Sequence, residues 1–92
     1  MSKIFIIDDD KELTNLLKEF FSSFNFSVAA SHEPEDALNY LKKNSPDLVV
    51  LDIMLPGMDG LQLLRKLREH SAVPVIMLTA RGEVTDRIVG LE

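Results

Sequence analysis

The chain has 92 residues, 46% hydrophobic and 27% charged, with a formal net charge of −5 and no cysteine. That length sets a single domain, 1–92, whose core needs no covalent staples. The balance excludes nucleic-acid binding through a broad basic face, a disulfide framework and a thiolate metal site, and it leaves room for a cation or a basic partner.

Met1-Ser2-Lys3 leads directly into a short apolar strand, Ile4-Phe5-Ile6-Ile7, rather than into the longer apolar core of a secretory leader. No apolar run approaches the roughly 18 residues that span a bilayer, so a soluble, cytoplasmic chain without membrane contact is expected. The first strand runs straight into Asp8-Asp9-Asp10, and Asp10 is placed to cap a helix. Leu13, Leu16, Leu17, Phe20, Phe21 and Phe24 recur at helical spacing and predict one apolar helix face. Phe26-Ser27-Val28-Ala29-Ala30 reads as a less apolar strand near a sheet edge. Pro34 fits the first turn of a second helix, with Ala37, Leu38 and Leu41 as its buried stripe and Asn44-Ser45-Pro46 as its stop.

Leu48-Val49-Val50-Leu51 is four apolar residues in a row, the pattern of a strand buried on both faces of a parallel sheet. It ends at Asp52, and a loop with Pro56 and Gly57 follows. Asp59 suits the cap of a third helix, with Gln62 three residues on and Leu61, Leu63, Leu64 and Leu67 as its apolar residues. Pro74-Val75-Ile76-Met77-Leu78 is a fourth buried strand, Thr79-Ala80-Arg81-Gly82 a loop, and Val84, Ile88 and Leu91 predict the start of a fourth helix. His32 and His70 lie in polar segments and read as surface residues.

Strands alternating with helices predict an α/β fold, a doubly wound parallel sheet. Of the two common strand orders, the flavodoxin-like one, 2-1-3-4 here, sets the first and third strands side by side. Asp8, Asp9 and Asp52 then converge at the carboxyl edge of the sheet, and Thr79 leaves the neighbouring strand beside them. Carboxylates so close repel one another, and a hard divalent cation resolves that; Mg²⁺ is the natural candidate because it takes carboxylate, water and phosphate oxygens. A carboxylate beside Mg²⁺ is able to attack a phosphoryl group, and Thr79 is able to donate a hydrogen bond to it.

Three stretches carry a family resemblance: Ile7-Asp8-Asp9-Asp10, the segment Leu51-Asp52-Ile53-Met54-Leu55-Pro56-Gly57-Met58-Asp59-Gly60, and Val75-Ile76-Met77-Leu78-Thr79-Ala80-Arg81. In order and spacing the chain resembles the receiver domain of two-component response regulators. The Leu78-Thr79-Ala80-Arg81-Gly82 stretch resembles the subgroup with a winged-helix DNA-binding output domain. The resemblance implies that Asp52 accepts a phosphoryl group from a sensor histidine kinase. It further implies that Asp8, Asp9, Asp52 and the backbone carbonyl of Met54 hold Mg²⁺. Thr79 is implied as the switch hydroxyl that moves the surface after the fourth strand. Receivers also carry a fifth strand ending in a lysine, and a fifth helix; the sequence reaches Glu92 before a match to either.

Without that strand, the fourth strand is expected to offer an open apolar edge, and self-association by edge pairing or exchange of elements follows. Two other readings stay open. One is a phosphorylation-incompetent structural piece of such a domain. The other is a phosphatase of the haloacid-dehalogenase type, with an Asp nucleophile after the first strand and Thr79 as second motif. That reading leaves the Asp52 segment unexplained.

Overall fold

A computed structural model of the chain describes residues 2–53, 55, 59–79 and 87–91, with the backbone alone at 79 and 87–91. In chain order the elements are β1 (Lys3–Ile7), α1 (Lys11–Ser22), β2 (Ser27–Ser31), α2 (Pro34–Lys43), β3 (Leu48–Asp52), α3 (Gly60–Arg68), β4 (Val75–Thr79) and β5 (Arg87–Leu91). They form one sheet of order β2-β1-β3-β4-β5. The first four strands run parallel in the expected order 2-1-3-4, with β1 beside β3.

Alternation along the strands divides the apolar residues between two faces. Phe5, Ile7, Val49, Leu51, Val75 and Met77 pack with Ala37, Leu63 and Leu67, so α2 and α3 cover one side. Ile4, Ile6 and Val50 point the other way, toward Leu17 and Phe21 of α1. Tyr40 of α2 stacks on Phe5 with ring centroids 4.1 Å apart. The caps fall where the sequence puts them. The Asp10 side chain accepts from the Leu13 N–H at 3.1 Å, that of Asp59 accepts from the Gln62 N–H at 2.9 Å, and Pro34 opens α2.

Four expectations need correction. The six apolar residues do not share one buried helix face: Leu17 and Phe21 pack on the sheet, Leu16 and Phe20 stay 62% and 55% exposed, and Phe24, 60% exposed, lies in the turn beyond the end of α1 at Ser22. On α3, Leu63 and Leu67 are buried, and Leu61 faces out. Ile88 and Leu91 stand in a strand instead of a fourth helix; Val84 lies outside the described residues. The edge of β4 is consequently not open, because β5 pairs antiparallel along it, from Ile76↔Leu91 to Thr79↔Arg87. The physical reason is that an apolar strand with unpaired N–H and C=O groups is a template, and the nearest segment rich in β-branched residues satisfies it.

Candidate functional site

The parallel register brings the acids together. β1 and β3 pair up to Ile7↔Leu51, so the next residue of each strand, Asp8 and Asp52, emerges at the same edge. Carboxylate oxygens of Asp8, Asp9 and Asp52 lie within 4.8 Å of one another. Asp8 is only 5% exposed and Asp52 only 6%.

Each of the three consecutive aspartates has a distinct position. The Asp8 N–H donates to the Ser31 carbonyl at 3.1 Å, which extends the β1–β2 pairing by one residue. Its side-chain Oδ1 accepts the Asp10 N–H at 2.9 Å, turning the chain out of the sheet. Asp10 then caps α1. Burial is the main influence on Asp8 and raises its pKa from 3.8 to about 6. The hydrogen bond from Asp10 opposes this, and the charges of Asp52, Asp9 and Asp10 add to it.

Asp52 closes β3 and pairs with Leu78 of β4, and the Ile53 N–H donates to the Leu78 carbonyl at 3.1 Å. Thr79 follows Leu78 as the last residue of β4, so its backbone ends one step past the strand neighbour of Asp52. Met54 lies outside the described residues, as do Ala80 and Arg81. The donor set fits a hard divalent cation: three carboxylates, two of them buried, converge within 4.8 Å and offer the hard oxygen ligands such an ion takes. Mg²⁺ would be held there by Asp8, Asp9 and Asp52.

Two features escape a reading by sequence pattern. Thr14 is fully buried in α1, and its Oγ1 lies 3.1 Å from Nε2 of His32, which follows β2. His32 is therefore half-buried and partnered, not a free surface residue, and it ties the first turn of α1 to the strand beside the acids. Gly60 is the other. It opens α3 directly against the backbone of Asp52, a proximity visible only once β3 and α3 are placed.

Comparison with known proteins supplies a context for this edge. The sequence pattern of the response regulator receiver domain matches residues 4–92. The transcriptional regulatory protein CpxR of Escherichia coli is 49% identical over 92 residues, all of this chain and 39% of that protein. The regulatory protein VanRc of Enterococcus gallinarum is 45% identical over 89 residues, 97% of this chain and 38% of that protein. The chain thus spans about two-fifths of the length of the curated relatives it matches. Among solved structures, the BeF₃-activated N-terminal receiver domain of Klebsiella pneumoniae RstA superposes with a TM-score of 0.82 at 34% identity, covering 90% of this chain and 71% of that one.

Proposed function

The chain belongs to the response regulator receiver domain family, and from that premise we propose that it is a Mg²⁺-dependent phosphoacceptor switch whose acceptor is Asp52. The observation that carries the reading is the approach of the Asp8, Asp9 and Asp52 carboxylates to within 4.8 Å at the carboxyl edge of a parallel sheet. In the reaction a carboxylate oxygen of Asp52 attacks phosphorus, the bond from phosphorus to the donor breaks, and an acyl phosphate forms on Asp52. Bound Mg²⁺ supplies neutralising charge between the anionic nucleophile and the anionic phosphoryl group. Asp8, Asp9 and Asp52 would hold it, and the family resemblance implies the Met54 carbonyl as a further ligand. The Thr79 hydroxyl donates to a phosphoryl oxygen, and its movement shifts the surface beyond β4.

The donor is the phosphohistidine of a sensor histidine kinase in the cytoplasm. The readout is an output domain that controls transcription, in keeping with the names of the relatives at 45–49% identity. Among the described residues no helix is long and apolar enough to cross a membrane. The test is intact-mass measurement after incubation with Mg²⁺ and acetyl phosphate. A single phosphate adduct is expected on the wild type, lost in Asp52→Asn and lost when EDTA removes the metal. A wild type that never gains the adduct, or an adduct that survives Asp52→Asn, overturns the assignment.

A further inference from the structure

Gly60 is the first residue of α3 and is buried. Its N–H donates to the Ile53 carbonyl at 2.6 Å. A Cβ at this position would stand 2.6 Å from the Asp52 carbonyl oxygen, 2.6 Å from Ile53 Cα and 3.2 Å from the Asp52 carbonyl carbon. All three are backbone atoms, so no rotamer change relieves the overlap. Ordinary contact begins near 3.4 Å, and a side chain at position 60 must therefore drive helix and strand end apart by roughly 0.8 Å.

The strand end is held from two other sides. β1 pairs with β3 up to Leu51, and β4 pairs with it through Asp52↔Leu78 and the bond from the Ile53 N–H to the Leu78 carbonyl. These pairings fix β3 within the sheet, and α3 is the body that presses on the Asp52–Ile53 backbone from outside the ladder. The first turn of α3 is itself fixed, because Asp59 caps it through the Gln62 N–H.

We infer that Gly60 is a positioning residue: its missing side chain seats α3 on the Asp52–Ile53 backbone and so sets where the Asp52 carboxylate stands relative to Asp8 and Asp9. The inference rests on Asp52 being the acceptor. A displacement of the order of 1 Å at a reacting group costs up to about 100-fold in rate.

The experiment compares wild type, Gly60→Ala and Leu41→Ala by initial rate of adduct formation from acetyl phosphate in Mg²⁺, at a temperature where circular dichroism finds each folded. Leu41 packs on the core from the last turns of α2, so its truncation lowers stability without touching the acceptor. Gly60→Ala is expected to slow the reaction about 10- to 100-fold, and Leu41→Ala to leave it within about twofold. Equal rates for Gly60→Ala and wild type overturn the inference, as does equal slowing by both variants. A wild type without any adduct fells the acceptor reading, and this inference with it. Should Gly60→Ala not fold, a Mg²⁺ titration of the wild type followed by amide NMR decides. The Gly60 and Ile53 amides are expected to shift with the same midpoint as those of Asp8 and Asp9. A Gly60 amide that does not move overturns the inference.

Discussion

Asp8 is buried among like charges, and the consequence is a measurable pH dependence. Its pKa is about 6 in the fold and 3.8 as an ordinary carboxylate. Between those values the folded chain holds a proton that the unfolded chain has released, so stability falls as pH rises from about 4 to about 6. Above that window the full cost applies, at most roughly 3 kcal/mol for a shift of this size. Asp8→Asn keeps an oxygen for the Asp10 N–H and removes the charge. In Mg²⁺-free buffer, urea unfolding at pH 7.5 is expected to find Asp8→Asn more stable than wild type by about 1–3 kcal/mol. Near pH 3.8 the difference should shrink toward zero. An unchanged difference at both pH values would mean that the charge of Asp8 is not what destabilises the metal-free fold. The acids were legible in the sequence because each follows an uninterrupted apolar strand. The Ser31 carbonyl, the Thr14–His32 contact and Gly60 were not, because each acquires its meaning from a neighbour distant in the chain.

At the scale of the element, α1 illustrates what periodicity does and does not decide. Six apolar residues at helical spacing identify the helix, and its boundaries follow from Asp10 at the start and a turn at the end through Asn25, whose φ of 67° suits asparagine. Periodicity alone does not say how wide a stripe the sheet covers. Here β1, β2 and β3 accept Leu17 and Phe21, while Phe20 and Phe24 pack edge to face with their centroids 5.2 Å apart and remain exposed. The two kinds of phenylalanine should respond differently to truncation. Phe21→Ala removes contacts with the Ile4, Ile6 and Val50 cluster and is expected to cost about 2–3 kcal/mol, less than a fully buried ring because Phe21 is only partly enclosed. Phe24→Ala loses one aromatic pair and should cost about 0.5–1 kcal/mol. Thermal or urea unfolding of the two variants checks the ranking; equal losses would mean that α1 seats on the sheet with a different face.

The whole molecule is governed by the edges of its sheet. The parallel order of β2, β1, β3 and β4 was legible because apolar strands joined by short helical crossovers leave few topologies. The last segment was not, since Ile88 and Leu91 fit a helical period as well as a strand, and an adjacent edge decides between them. With β5 in place, the backbone groups of β4 that would recruit another chain are engaged within the same one. Detaching β5 should therefore restore the association that an open β4 edge promotes. One proline is an ambiguous tool, because an edge strand tolerates proline where its N–H faces away from the sheet. The pairing slips by one residue here, with Leu78↔Ile88, Met77↔Gly90 and Val89 between them, so strict alternation does not tell which of Ile88 and Val89 supplies the donor toward β4. The double variant Ile88→Pro/Val89→Pro removes that donor whichever it is. Sedimentation velocity at about 100 μM, where exposed strand edges aggregate, is expected to show larger species for the double variant than for the wild type. If the two proteins sediment alike while circular dichroism reports an intact α/β fold, the β4 edge is kept from other chains by something other than β5.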